Sequence, residues 1–244
     1  EALSLAHEHR LRPHEELLPG AAPYDALLEG QVLFELGRYR EAAALFDSIA
    51  VGSRMVIDSS LRYGSRIWAF THSADAYAEL GDSARVRLLA DSMQVLGEQV
   101  ALARDQRLYA YARGLYARLA GKDDEAVSWF ERSLTSVTVG FTRANYQLGA
   151  LYLKSGQALK AVRILRAGYR GGTVGSTLYV TRTDMEARLA QAFEAAKQKD
   201  SALVYYRRVL ANWSRADEQF RPRRDSIAAA VARLTGVSQA ASAK

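Results

Sequence analysis

At 244 residues with 49% hydrophobic side chains, the chain can bury a core as one large domain or as two small ones. Its lack of cysteine excludes disulfides, cysteine-bound metals and thiol nucleophiles, and leaves the compartment open. A formal charge of +6 favours an acidic partner, but Arg and Glu are interleaved along the chain instead of gathered into one basic tract.

Three of the 4 prolines, Pro13, Pro19 and Pro23, precede residue 24, so the remainder is almost free of helix breakers and reads as all-α. No apolar run approaches the roughly 18 residues that a membrane span needs, so no membrane insertion of this segment is expected. The missing initiator Met implies a processed chain or a piece of a longer one.

Taken in order, residues 1–22 hold a short helical pattern at Ala2, Leu3, Leu5 and Ala6, then a Pro/Gly-rich passage from Leu18 to Pro23. They read as a helical remnant and a linker. From 23 to 213 one pattern recurs in five copies, most plainly at Gly114 to Leu134, GLYARLAGKDDEAVSWFERSL. Here Gly114 leaves room for a neighbouring side chain, Gly121 ends the helix in a left-handed conformation, and Asp123 or Asp124 caps the next. Ala126, Phe130 and Leu134 then share one stripe.

The first copy places Gly30, Gly37, Ala42 and Phe46 in the same frame. The second has Ala74 and Tyr77 before Gly81, then Val86, Ala90 and Met93. The fourth has Leu148, Gly149 and Tyr152 before Gly156, then Ala161, Leu165 and Gly168. The fifth has Ala190 and Phe193, then Lys197 where the glycine is expected, then Ala202 and Tyr206. These turn positions lie 35 to 44 residues apart, a helical-repeat period with joints of variable length at Val51 to Ser65, Gly97 to Asp105 and Gly171 to Thr183. Residues 214–236 read as a capping helix with Pro222 in its first turn and Ile227, Val231 and Leu234 on its apolar stripe. The tail 237–244 is small and polar.

Small residue, turn glycine, then Ala and a bulky residue four later resembles the tetratricopeptide repeat (TPR), best seen in LLEGQVLFELGRYREAAALF and ANYQLGALYLKSGQALKAVRIL. The chain departs from that pattern at the usual early Trp, replaced by Ala26, Phe70, Ala110, Asn145 and Glu186. Its segments also look like the repeat regions that follow kinase or transcriptional-activator domains in bacterial regulators. The resemblance implies an all-α helical-repeat superhelix, an α-solenoid, with a C-terminal capping helix.

The resemblance further implies that the first helix of each repeat lines a concave surface that touches a partner. Carried across, this frame gives Tyr24, Leu27 and Gln31 in the first repeat, Leu108 in the third, and Asp184 and Gln191 in the fifth. The principal candidates are Trp68, Thr71, Asp75, Tyr111, Arg118, Arg143, Tyr146 and Lys154. Trp68, Tyr111 and Tyr146 suit packing between repeats equally well, and Arg118 and Arg143 also read as solvated charges. The positions at which such proteins grip a C-terminal carboxylate hold Leu27, Gln31, His72, Leu108 and Ala112, which make no clamp.

Chemistry is sparse. The string HEELL at His14 to Leu18 lacks the second His of a zinc-protease helix, and His7 and His9 read as solvent-facing. GGTVGST at Gly171 to Thr177 lacks the Gly-Lys-Ser/Thr ending of a phosphate loop and reads as a joint. The acidic pairs Asp123 with Asp124 and Asp217 with Glu218 fall at helix starts. Tyr205 to Arg224 interleaves aromatics with arginines, but Tyr206, Val209 and Leu210 are needed for the fifth repeat's core. The expectation is a non-catalytic protein- or peptide-binding scaffold or sensor within a larger bacterial signalling or regulatory protein, without metal or cofactor. The alternative is a nucleic-acid-binding helical repeat that uses the basic C-terminal region. Oligomeric state stays open.

Overall fold

The five predicted turns join five helix pairs. The computed structural model describes residues 2–11, 22–52, 59–100, 102–134, 142–170 and 180–236, and among them regular structure is helical throughout. The chain divides into two compact units, Glu1–Thr135 and Ser136–Lys244.

In the first unit α1 (Ala2–Leu11) packs on α2 (Ala22–Glu35), which pairs with α3 (Tyr39–Gly52). Next come α4 (Ser59–Glu79) with α5 (Ser83–Gly97), the short α6 (Ala103–Gln106), and α7 (Leu108–Leu119) with α8 (Asp123–Ser133). The second unit holds α9 (Thr142–Lys154) with α10 (Ala158–Arg170), α11 (Arg182–Ala195) with α12 (Lys199–Asn212), and α13 (Arg221–Thr235) against α12.

Every pair closes in the same way. The second residue past the first helix is left-handed, with φ of 75° at Gly37, 74° at Gly81, 71° at Gly121, 73° at Gly156 and 59° at Lys197. Its N–H donates to the carbonyl three residues back and the following N–H to the carbonyl five back, all at 2.7 to 3.1 Å. That double bond satisfies helix-end carbonyls that would otherwise be orphaned, and it needs positive φ, which glycine adopts without a Cβ clash.

In three of the pairs a glycine on the first helix faces a larger side chain on the second. A Cβ on Gly30 would stand 2.3 Å from the Phe46 ring, one on Gly114 2.6 Å from Phe130, and one on Gly149 2.5 Å from Leu165. The equivalent positions in the other pairs hold Ala74 with Ala90 and Ala190 with Tyr206, all of them buried. The repeat thus keeps these positions buried while exchanging the side chains that occupy them.

Polar bonds tie neighbouring pairs together. Asp47 on α3 accepts from the hydroxyls of Ser73 and Tyr77 on α4, each at 2.7 Å. In the second unit Tyr169 on α10 donates to Glu186 on α11 at 2.8 Å. Tyr206 on α12 donates to Glu194 at 2.8 Å, and Glu194 also pairs with Arg233 of α13 at 2.5 Å. Burial first, and then this carboxylate, push the Tyr206 hydroxyl well above its ordinary pKa. The capping helix thus joins the fifth pair through a polar triad as well as through buried Ile227 and Ala230.

Several local expectations change. Asp123 and Asp124 do not cap α8, because the cap position is Lys122; they occupy the first turn, where their charge complements the helix dipole. Leu134 lies just past that helix, at its C-terminal cap. The joints are shorter than expected, since α3 runs to Gly52, α4 begins at Ser59 and the second joint contains α6. His7 does not simply face solvent: its Nδ1 lies 3.2 Å from Glu29. His14 to Leu18, Gly171 to Thr177 and the tail 237–244 lie outside the described residues.

Candidate partner-binding groove

The expected contact residues divide between packing and surface. Thr71 is wholly buried and donates to the Ile67 carbonyl at 2.7 Å. Tyr111 is also wholly buried, and its hydroxyl donates at 2.7 Å to Asp75, itself only 3% exposed. Its ring centroid lies 5.5 Å from that of Phe130. These three therefore present almost no surface to a partner.

Trp68 is half-buried, with the Arg104 guanidinium 5.0 Å over its ring. Arg104 in turn pairs with buried Asp105 at 2.9 Å, so α6 supplies a lid for this ring. Arg118 is partly exposed, its Nη2 3.5 Å from Glu79. In the second unit Arg143 is buried and Lys154 is exposed.

Tyr146 has a different setting. It borders a groove of about 400 Å³ between α9, α11 and α13, with Ala187, Arg188 and Gln191 on α11 and Pro222, Arg223, Ser226 and Ile227 on α13. Trp213, the C-terminal cap residue of α12, closes one side. The frame for first helices placed Tyr146 and Gln191 on such a face; Arg188, Trp213 and the α13 residues were not anticipated there. For Trp213, Pro222 and Arg223 the arginine–aromatic interleaving from Tyr205 to Arg224 was the one visible signal.

The groove is built from stacked pairs. The Arg188 guanidinium lies 3.4 Å from the Tyr146 ring centroid, and its Nη1 donates to the Tyr146 carbonyl at 3.1 Å. Arg223 lies 4.9 Å over Trp213, whose other ring neighbour is Phe220 at 6.4 Å. Arg223 also pairs with Asp184, a carboxylate fixed near the start of α11, where the Asp184 N–H donates to the capping Thr181 hydroxyl at 3.1 Å. Both cations are thus oriented before any ligand arrives. Chemically, the arrangement offers oriented positive charge above an apolar floor of Ala187 and Ile227.

The neighbouring arginines each lie beside an acid at the exposed surface. Arg221 pairs with Glu218 at 3.2 Å, and Arg224 lies 4.0 Å from Asp225.

No family model matches the chain, and no curated protein matches it. Among solved structures it is similar to BtubC (BKLC) from P. vanneervenii, at 12% identity over 88% of this chain and 89% of that one, with a TM-score of 0.52. It is also similar to two structures of nearly identical TPR-like repeats of a protein assigned as a kinesin light chain in Podosopora anserina. Both are 16% identical; they cover 78% and 80% of this chain and 94% and 96% of theirs, with TM-scores of 0.46 and 0.45. The fold is that of an all-α, TPR-like helical-repeat protein.

Proposed function

We propose that the chain is a non-catalytic module that binds a protein or peptide partner through the faces of its first helices. The observation that carries this reading is the groove at Tyr146, where α9, α11 and α13 gather oriented cations, exposed amide and hydroxyl groups and an apolar floor. Trp68, Arg118 and Lys154 retain enough exposure to extend a binding face within their own units. Asp75, Glu79 and Arg118 are engaged structurally, Asp75 with Tyr111 and Glu79 with Arg118. Likeness of its segments to repeat regions that follow kinase or activator domains supports a place in a larger bacterial signalling or regulatory protein.

Selection of a random-peptide display library on the immobilised chain, followed by amide hydrogen exchange on the best complex, tests the reading. Protection should concentrate on first helices, among α4, α7, α9 and α11. Failure to enrich any sequence, or protection confined to α3, α5, α8, α10 and α12, would contradict it.

A further inference from the structure

We infer that the exposed stripe of α10, continued by α12, docks the second unit on an anionic lipid surface, with arginines on the lipid phosphates and Leu159 and Val204 in the headgroup layer. This surface lies on second helices, apart from the groove, and does not depend on the binding-module reading.

Charge distribution is the first argument. Although Arg and Glu interleave along the sequence, the surplus falls in one unit: Ser136–Lys244 carries 18 Lys and Arg against 7 Asp and Glu, and Glu1–Thr135 carries 15 against 20. Five of those seven acids lie beside arginines of α11 and α13. The other two, Asp200 and Asp217, stand in the first turn of α12 and just before α13. α10 itself has four cations and no acid. Such asymmetry between the halves of a chain directs one half toward an anionic surface.

Geometry is the second. Leu159, Arg163, Arg166 and Arg170 follow one another at steps of four, three and four residues, which places them on one helix stripe, and all four are exposed. Ala161, Leu165 and Gly168 hold the other side of α10 in the core, so contact is confined to the stripe. Among the described residues no ion pair or hydrogen bond engages Arg163, Arg166 or Arg170. On α12 Val204, Arg207 and Arg208 are exposed in the same way. Tyr169 and Tyr205, which adjoin Arg170 and Val204 in sequence, meet edge-on at 5.8 Å and bring the two helices together.

The third argument comes from the aliphatic side chains. Leu159, 67% exposed, and Val204, 47% exposed, are the large hydrophobic residues left open among the described residues of this unit. Each stands one helical turn before an arginine, Arg163 or Arg208. An aliphatic side chain gains by entering the headgroup region, and long arginine stems let the guanidiniums reach phosphates beside it. Cations held by no partner within the chain also suit lipid phosphates, which rearrange laterally, better than the fixed carboxylates of a folded protein, which would impose an ordering cost.

A nucleic acid suits this face less well. Base stacking needs open aromatic faces, and here Tyr205 is stacked on Phe193, edge-on to Tyr169 and beneath the Arg208 guanidinium. Contact with phosphates alone would leave Leu159 and Val204 without a role.

The test is co-sedimentation of the full chain with vesicles that are about one-third phosphatidylglycerol in phosphatidylcholine, against phosphatidylcholine alone. The chain should partition to the mixed vesicles, not to the neutral ones, and should be released at about 0.5 M salt. A cation at such a surface is worth about fivefold, so Arg163→Gln with Arg166→Gln should lower the partition coefficient about twentyfold. The same charge removed by Arg221→Gln with Arg224→Gln, beside Glu218 and Asp225, should lower it less than about threefold. Leu159→Ser should lower it at least about threefold. Each variant should keep the parent's thermal midpoint.

No preference for the mixed vesicles, an equal loss from the two double variants, or no response to Leu159→Ser would overturn the inference. So would a DNA duplex that strips the chain from the vesicles at equal phosphate concentration. None of these outcomes touches the first-helix reading, which stands or falls on peptide selection.

Discussion

The Tyr111 hydroxyl donates to the Asp75 carboxylate at 2.7 Å, joining α7 to α4 inside the first unit. Both residues are buried, so the bond works in a low-dielectric setting where an unmatched partner is expensive. Tyr111→Phe removes one donor from a buried carboxylate and should lower the stability of that unit by about 1–3 kcal/mol. Urea unfolding followed by Trp68 and Trp129 fluorescence reads it. Binding of a display-selected peptide to the second unit should not change.

Gly114 faces Phe130 so closely that an added Cβ would stand 2.6 Å from two ring carbons. Ala favours a helix over Gly by up to about 1 kcal/mol, whereas overpacking a rigid ring costs about 1–3 kcal/mol. Because an aromatic ring cannot bend aside, Gly114→Ala should lose stability on balance. The same urea series should show a midpoint below that of the parent, and a raised midpoint would mean that the helices separate more easily than this fit implies.

Lys197 adopts φ 59° where the other four pairs use glycine. A side chain in this region costs about 1–2 kcal/mol, part of which glycine returns through its freer unfolded state. Lys197→Gly should therefore stabilise the second unit by up to about 1 kcal/mol. Trp213 fluorescence in urea reports on that unit, and Gly121→Ala offers the converse in the first.

The helix pairs were legible because their determinants are local. A turn residue, a small residue seven before it and a buried residue nine after it sit within one hairpin, and even Lys197 was placed correctly by spacing. What escaped was set by distant neighbours. Tyr111 read equally well as a contact residue or as packing between repeats, because its orientation depends on Asp75, thirty-six residues earlier in the chain. Periodicity separates buried from exposed faces; it does not say which first-helix residues the adjacent pair will cover. The groove was half legible for the same reason: Tyr146 and Gln191 follow from the repeat frame, while Trp213, Arg223 and Ile227 come from a capping segment that the frame does not extend to.

Tyr77 couples stability to alkaline pH. Burial, then its bond to Asp47, pushes its hydroxyl up to about 12. Since the unfolded value is about 10, the folded state favours the protonated form; its contribution is complete below that pH and fades as pH climbs through the folded value. Tyr77→Phe should be less stable than the parent near neutrality and should lose less stability between about pH 9 and 11.5. Parallel urea midpoints across that range provide the check, and parallel declines in parent and variant would count against the Tyr77–Asp47 bond.

The most direct test of the proposed function compares two exposed positions of the second unit, Gln191 in the groove and Arg163 on α10. Each is replaced in turn by a photo-crosslinking amino acid, and the full chain is irradiated with a display-selected peptide. A crosslink from position 191 that excess unlabelled peptide abolishes, with none from position 163, is the predicted result. Efficient crosslinking from 163 and none from 191 would contradict it.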